Sequence, residues 1–171
     1  MMRITLVLLV FVLLFGCIGE WRAMAQPHEN ATAMAAAPPG PPDTIGYLYV
    51  YHQYGSYGAE DWYDVSFTLE DENGNVVTAP GTLLVTIKDE DGNTLYTKQS
   101  TVSESDFEPS EGYPFYDNNV YTAKAYFDEI NTSQTSYANF TVEFTTDGKT
   151  IKKTKNTYLS SDLVSYSGSS Y

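Results

Sequence analysis

The sequence predicts an antiparallel β-sandwich of seven to nine strands over residues 45–159. Apolar and polar residues alternate through most of this range, which is the period of a half-buried strand. Asx-Gly dipeptides, which favour tight hairpin turns, recur at Asn73-Gly74, Asp91-Gly92 and Asp147-Gly148. No convincing amphipathic helix interrupts the pattern. An antiparallel barrel is the alternative arrangement of the same strands.

The clearest element is a β-hairpin with strands at 82–88 and 94–99. Leu83, Val85 and Ile87 occupy alternate positions, so they are predicted to face the core. Asp91-Gly92 supplies the turn, because glycine adopts positive φ without a steric penalty. Leu95 then resumes the apolar side on the returning strand.

The remaining strands follow from the same alternation. They are predicted at 45–52, 62–70, 76–78, 120–127, 137–145 and 150–159. In the second of these, Val65, Phe67 and Leu69 are expected to face the core, while the residues between them face outward. Residues 160–171 are predicted to form a frayed tail rich in Ser and Tyr.

Residues 1–17 are predicted to be an export signal. A short basic start precedes an apolar run from Ile4 to Ile18. Leu14-Phe15-Gly16-Cys17 ends this run with the single cysteine of the chain, and the stretch resembles the lipobox of archaeal surface lipoproteins. The resemblance implies lipid attachment at Cys17 and a membrane anchor. Alternatively, cleavage after Ala25, in Ala23-Met24-Ala25, would release a secreted protein.

Residues 18–44 are rich in Ala and Pro and are predicted to be a disordered tether. Three N-glycosylation sequons occur, which suit an exported protein. They begin at Asn30, Asn131 and Asn139. Asn139 alternates with the apolar residues of its strand, so its side chain is expected to point to solvent.

The charge of the chain excludes one large class of partner. The formal net charge is −13 and the isoelectric point is near 4.3. Nucleic-acid binding is not expected, because it needs clustered Lys and Arg to neutralise phosphates. With one cysteine, no intrachain disulfide can form, so packing alone must hold the domain together.

The strand spacing and turn chemistry of residues 45–159 resemble the immunoglobulin-like or fibronectin type III-like domains of prokaryotic and archaeal surface proteins. The paired cysteines of antibody domains are absent, and Trp62 is the residue available as a core tryptophan. The resemblance implies an interaction or spacing role. It implies no catalytic residues.

The sequence gives no sign of catalysis. Only two histidines are present, His28 in the tether and His52 at the end of a strand, so a nucleophile with a neighbouring base is not expected. Zinc ligation would need more His or Cys. Carboxylates are plentiful enough for a glycosidase-type acid and nucleophile, which is the open alternative, but they concentrate in turns, where solvated carboxylates are expected. We therefore expect a non-enzymatic protein without a cofactor, calcium excepted.

Aromatic residues gather between residues 47 and 63 and form the candidate binding surface. Their rings offer contact area at low entropy cost to a carbohydrate or a protein. The candidates are Tyr47, Tyr49, Tyr51, Tyr54, Tyr57, Trp62 and Tyr63. This predicts a binding or adhesion module at the cell surface, with core packing as the alternative role of the same rings.

A basic strand stands out in this acidic chain and suggests a second function. Its lysines are Lys149, Lys152, Lys153 and Lys155. They would let the protein self-associate as a structural subunit of an extracellular assembly, head to tail or by strand pairing. Alternatively, they protect an exposed edge strand from such pairing. A third possibility, an accessory lipoprotein of a membrane complex, follows from the anchor alone.

Two acidic turns are the candidate calcium site. If residues 76–78 form a full strand, the turns at 71–75 and 89–93 fall at the same end of the sandwich. They would then combine enough oxygen ligands for calcium. The candidate ligands are Asp71, Asn73, Asn75, Asp89, Asp91 and Asn93. Such turns also form without any metal.

Overall fold

A computed structural model describes residues 38–56, 59–110, 114 and 118–165 of the chain. The described residues belong to one compact unit. The predictions for Cys17, Asn30 and Tyr57 lie outside the described residues. Within the described part, none of the helices has the length and apolar character needed to cross a bilayer.

The domain is an antiparallel β-sandwich of nine strands in two sheets. The strands are β1 (Thr44–Gln53), β2 (Trp62–Glu70), β3 (Val76–Val77), β4 (Gly81–Asp89), β5 (Thr94–Val102), β6 (Glu108–Ser110), β7 (Asn118–Tyr126), β8 (Tyr137–Thr146) and β9 (Lys149–Tyr158). The first sheet has the order β1-β2-β7-β6, with β3 beside β2. The second has the order β5-β4-β8-β9. Apart from β3, this is the strand arrangement of immunoglobulin-like sandwiches.

The core lies between the sheets and confirms the predicted alternation. Phe67 and Leu69 of β2 are fully buried, and so are Leu83 and Ile87 of β4. Phe140 of β8 is also fully buried, and its ring centroid lies 5.0 Å from that of Tyr63 across the core. Since every second residue of each strand points inward, the residues between them form two outer faces.

The two ends of the sandwich are distinct. The entry end is where Thr44 begins β1, and there β2 ends at Glu70 and β4 begins at Gly81. A salt bridge of 2.6 Å between Lys149 and Asp43 joins the sheets at this end. The far end holds the segments 53–62 and 127–136.

Both boundaries of the folded domain lie outside the predicted range of 45–159. Pro42 is buried, and Asp43 N donates to Glu70 O at 2.7 Å, so the last residues of the predicted tether belong to the sandwich. At the other terminus, Leu163 is 3% exposed and Ser133 N donates to its carbonyl at 2.7 Å. Residues 160–165 therefore pack on the far end instead of fraying, because they carry apolar side chains that the core accepts.

Candidate binding face

Alternate residues of β1, β2 and β7 form one outer surface of the first sheet, which we name the aromatic face. Val65 and Phe67 of β2 face the core, so the residues between them face outward. Residues that are paired between neighbouring strands point to the same side. The face comprises Tyr49, Tyr51, Gln53, Trp62, Asp64, Ser66, Val120, Thr122, Lys124 and Tyr126.

Tyr49 and Tyr51 form the aromatic pair on β1. Their ring planes are within 11° of parallel, and the ring centroids are 6.3 Å apart. Tyr51 is 51% exposed, which is high for so large an apolar ring on a sheet. The two rings thus offer solvent a continuous amphipathic surface.

Asp64 is the polar centre of the face. Its Oδ1 accepts a hydrogen bond from Trp62 Nε1 at 2.9 Å, and its Oδ2 accepts one from Gln53 Nε2 at 2.8 Å. One carboxylate therefore fixes the indole ring and the amide at once. The two bonds leave part of the acceptor capacity of Asp64 unused.

Trp62 is further held by its neighbours on β7. Lys124 Nζ lies 4.8 Å from the centre of the indole ring, within the range of a cation–π interaction. The Tyr126 ring centroid lies 6.1 Å from that of Trp62. Because β2 and β7 pair in register, with Trp62 opposite Tyr126, these contacts are built into the sheet.

Two adjoining grooves cross the aromatic face. One, of 310 Å³, runs along Tyr49, Tyr51 and Asp64. The other, of 520 Å³, runs along Lys124 and the acidic residues Asp106 and Glu108. The grooves share the side chains that line their boundary: Ser110, Val120 and Thr122. Together they form a shallow, open surface.

The structure separates the predicted aromatic candidates. Tyr49, Tyr51 and Trp62 share the aromatic face, whereas Tyr47 lies in an irregularity of β1 and is 43% exposed. Tyr54 is at the far end, 74% exposed.

Two expectations for aromatic residues are wrong. Tyr63 is only 1% exposed, because it faces the core one residue out of phase with the aromatic face. Its hydroxyl accepts a bond from Ser160 N at 2.7 Å, and burial raises its pKa. Trp62, offered as a core tryptophan, is half-buried on the outer surface instead.

His52 has a partner that the sequence did not reveal. Its Nε2 lies 2.9 Å from Asp61 Oδ2, and its ring packs against Tyr54 and Phe127 with centroid distances of 4.2 and 4.9 Å. The pKa of Asp61 is lowered, chiefly by the hydrogen bond from Gly55 N and then by the bond with His52. This cluster closes the far end of the first sheet.

The predicted meeting of the two acidic turns is wrong. β3 has only two residues, so the chain crosses to the second sheet while still at the entry end. β4 then carries it to the far end, which separates Asp71 from Asp89 by the length of the strand, about 27 Å. The contacts of the two aspartates are consistent with this separation. Asp71 accepts a hydrogen bond from Gly40 N at the entry end, whereas Asp89 pairs with Ala138 at the far end.

Each turn satisfies its own aspartate. The pKa of Asp71, which is 2% exposed, is held well below its usual range, chiefly by the hydrogen bond from the Asn75 side chain and then by the bond from Gly40 N. Bonds of 2.9 Å from Asn75 N and Asn73 N lower it further. Asn93 binds Asp89 in the same way and lowers its pKa. Asp91 is exposed at its turn. Over the described ranges, no group of three His, Cys, Asp or Glu residues is arranged for a metal ion.

Most lysines of the basic strand are engaged within the chain. β9 is an edge strand, as predicted. Lys149 binds Asp43, Lys152 binds Glu143 at 2.7 Å, and Lys153 Nζ donates to the carbonyls of Ile45, at 3.1 Å, and of Gly46. Among the described residues, the side chain of Lys155 makes no hydrogen bond or ion pair. This use of the lysines fits protection of an edge better than docking.

The two described sequons differ in accessibility. Asn131 is exposed in the segment after β7. Asn139 points outward from β8, as expected, but it is half-buried and its Oδ1 accepts from Asn156 Nδ2 at 3.1 Å.

The opposite outer surface, on the second sheet, has a regular composition. Each of its four strands carries Thr-x-x-x-Thr in register, so two rows of four threonines cross the sheet, and we name this surface the threonine face. The rows are Thr101, Thr82, Thr145 and Thr150, and Thr97, Thr86, Thr141 and Thr154. Hydroxyl pairs link Thr141 to Thr154 at 3.0 Å and Thr145 to Thr150 at 2.8 Å.

No family model and no curated protein matches this chain. Among solved structures, it is similar to a β-glucuronidase of Parabacteroides merdae, with a TM-score of 0.43 and 9% sequence identity. The match covers 67% of this chain but only 13% of the enzyme's chain. A likeness of this size carries no argument about activity.

Proposed function

We propose that this protein is exported and tethered to a membrane, and that its β-sandwich is a non-catalytic binding module at the cell surface. The aromatic face is its contact surface, and the ligand is a carbohydrate or a protein. The signal-like N-terminus and the cysteine at position 17 support export and anchoring.

One observation carries the binding role. Three of the predicted aromatic residues meet on a single outer surface, where the Asp64 carboxylate and the Lys124 ammonium hold the Trp62 ring in place. The fold does not need this arrangement, because the core lies on the opposite side of the sheet. Rings that are fixed before a ligand arrives lose little conformational freedom on binding.

Site-specific crosslinking on intact producing cells tests the contact surface. A photoreactive phenylalanine analogue replaces Tyr51 in the full chain, and the matched control places it at Gln99, which is exposed on the threonine face. Adducts at position 51 but not at position 99 are expected. Equal adduct formation, or none at either position, contradicts the proposed contact surface.

Mass spectrometry of the mature N-terminus tests the tether separately. A lipid-modified Cys17 is expected as the first residue. A free N-terminus at Gln26 contradicts anchoring, and it leaves the binding role of the sandwich to the crosslinking result.

A further inference from the structure

We infer that the ligand of the aromatic face is a neutral glycan. The inference rests on the proposed binding function and narrows it to one ligand class. Three properties of the face lead to it: its charge, the position of that charge, and the hydrogen-bonding groups that remain available.

The charge of the face disfavours anionic ligands. Asp64, Asp106 and Glu108 line the two grooves, and Lys124 is the only cationic side chain among the lining residues. Lys124 is itself directed at the Trp62 ring. A chain of net charge −13 adds long-range repulsion. Acidic polysaccharides and other polyanions therefore meet a negative surface.

The position of the charge disfavours a protein partner. Protein interfaces have an apolar centre that is poor in charged residues, with polar groups at the rim. Here Asp64 lies in the middle of the face with Lys124 opposite it on β7, and Pro109 and Val120 are the only aliphatic residues lining the grooves. A flat protein surface would have to desolvate both charges.

The available hydrogen-bonding groups suit a ligand with many hydroxyls. Ser66 Oγ and Thr122 Oγ1 bond each other at 2.8 Å, so one hydroxyl hydrogen and several lone pairs remain for a ligand. Asp64 can accept further bonds from ligand hydroxyls, and these bonds are charge-assisted. The Tyr49 and Tyr51 rings supply apolar surface for the C–H groups of a sugar ring. Together these groups match a neutral carbohydrate.

Glycan-array binding and affinity electrophoresis of the purified full chain test the inference. The probes are neutral oligosaccharides on the array and mannan, starch or hydroxyethyl cellulose in the gel, with polygalacturonate as the anionic comparison. Wild type should bind at least one neutral glycan, and Tyr51→Ala should weaken that binding by about fivefold or more. Tyr51→Phe, which keeps the ring, should bind within about twofold of wild type.

Tyr158→Ala is the matched control, because Tyr158 is 53% exposed but lies on the second sheet. It should bind like wild type, and thermal melting should show all three variants to be folded. The inference is overturned if no neutral glycan binds, if polygalacturonate binds better, or if Tyr51→Ala and Tyr158→Ala lose binding equally. If Tyr51 crosslinks to a protein while no glycan binds, the inference falls and the proposed binding function stands.

Discussion

The two outer faces of this sandwich each form the solvent side of a sheet, but they do so with different residues. The threonine face uses β-branched side chains that pair across strands, which stabilises a sheet at little cost. At equivalent positions the aromatic face places a tyrosine pair, of which Tyr51 is exposed and Tyr49 half-buried, together with an indole and an aspartate. Both faces cover one core, so the core does not explain the difference.

The contrast identifies where function is most expected. A surface that needs only to complete a sheet can be built from threonine, as the second sheet demonstrates. The first sheet instead carries large rings, with Tyr51 half exposed to solvent. Surface residues that are not the ones best suited to completing a sheet are most often present for binding. Four predictions test this contrast.

The largest effect is expected from a mutation in the core, because both faces depend on it. Phe140→Ala removes a fully buried ring that contacts Tyr63 from the other sheet, and it should lower the free energy of unfolding by about 3–5 kcal/mol. Denaturant unfolding measures this loss, and glycan binding should fail together with the fold. A loss below about 1 kcal/mol would show that the two sheets do not share this core.

The acidic turns at Asp71 and Asp89 should contribute to stability with the same pH dependence, although the outer faces of the two sheets differ. The pKa values of Asp71 and Asp89 are lowered in the fold, so each aspartate stabilises the protein above its unfolded pKa of about 4. That contribution is lost as the pH falls through the folded pKa. Asp71→Asn and Asp89→Asn should therefore be less stable than wild type at pH 7.

Thermal melts from pH 7 to pH 2 measure this dependence. The difference between wild type and each variant should shrink as the pH falls below about 4. Asp71→Asn should have the larger effect, because Asp71 also accepts a bond from Gly40 N. A difference that grows on acidification would contradict the assigned direction of the pKa shifts.

A smaller loss is expected on the threonine face. Thr141→Ala removes a hydroxyl pair from a central strand and should lower the free energy of unfolding by about 1 kcal/mol. Thr97→Ala on the edge strand β5 is the control and should cost less. Ligand binding should be unchanged in both variants, and reduced binding would move the contact surface to this face.

The smallest change in stability should come from Tyr51→Thr, which makes the aromatic face resemble the threonine face. The free energy of unfolding should stay within about 0.5 kcal/mol of wild type, because the position is exposed. Ligand binding should nevertheless fall with the loss of the ring. A large destabilisation would assign Tyr51 a structural role and would remove the contrast between the faces.

Local pattern was sufficient for eight of the nine strands, but it predicted neither β6 nor the contacts between side chains on neighbouring strands. Leu83, Val85 and Ile87 face the core as their alternation predicted. The sequence also predicts that Tyr49 and Tyr51 share a side. It does not reveal that Lys124 reaches Trp62, because that contact depends on the register of strands 62 residues apart in the chain.

Two short irregularities account for the main errors. The length of β3 decides which end of the sandwich receives each acidic turn. The predicted strand at 76–78 pairs through only two residues, which is too short to carry the chain to the far end, and the sequence does not reveal this. The irregularity in β1 lets both Ile45 and Leu48 face the core although they are three residues apart, which shifts Tyr47 out of phase with Tyr49. The register of a bulged strand depends on tertiary packing.

The hydrogen bonds from Lys153 Nζ to the carbonyls of Ile45 and Gly46 have a mechanical consequence. A pull entering at Pro38 and resisted by a ligand on the aromatic face would be directed along β1. Because such a pull runs parallel to β1 and across its hydrogen bonds to β2, those bonds would be loaded together in shear, and Lys153 would add a cross-sheet attachment near the start of β1. With the proposed tether and ligand, the first strand would therefore bear the load between them.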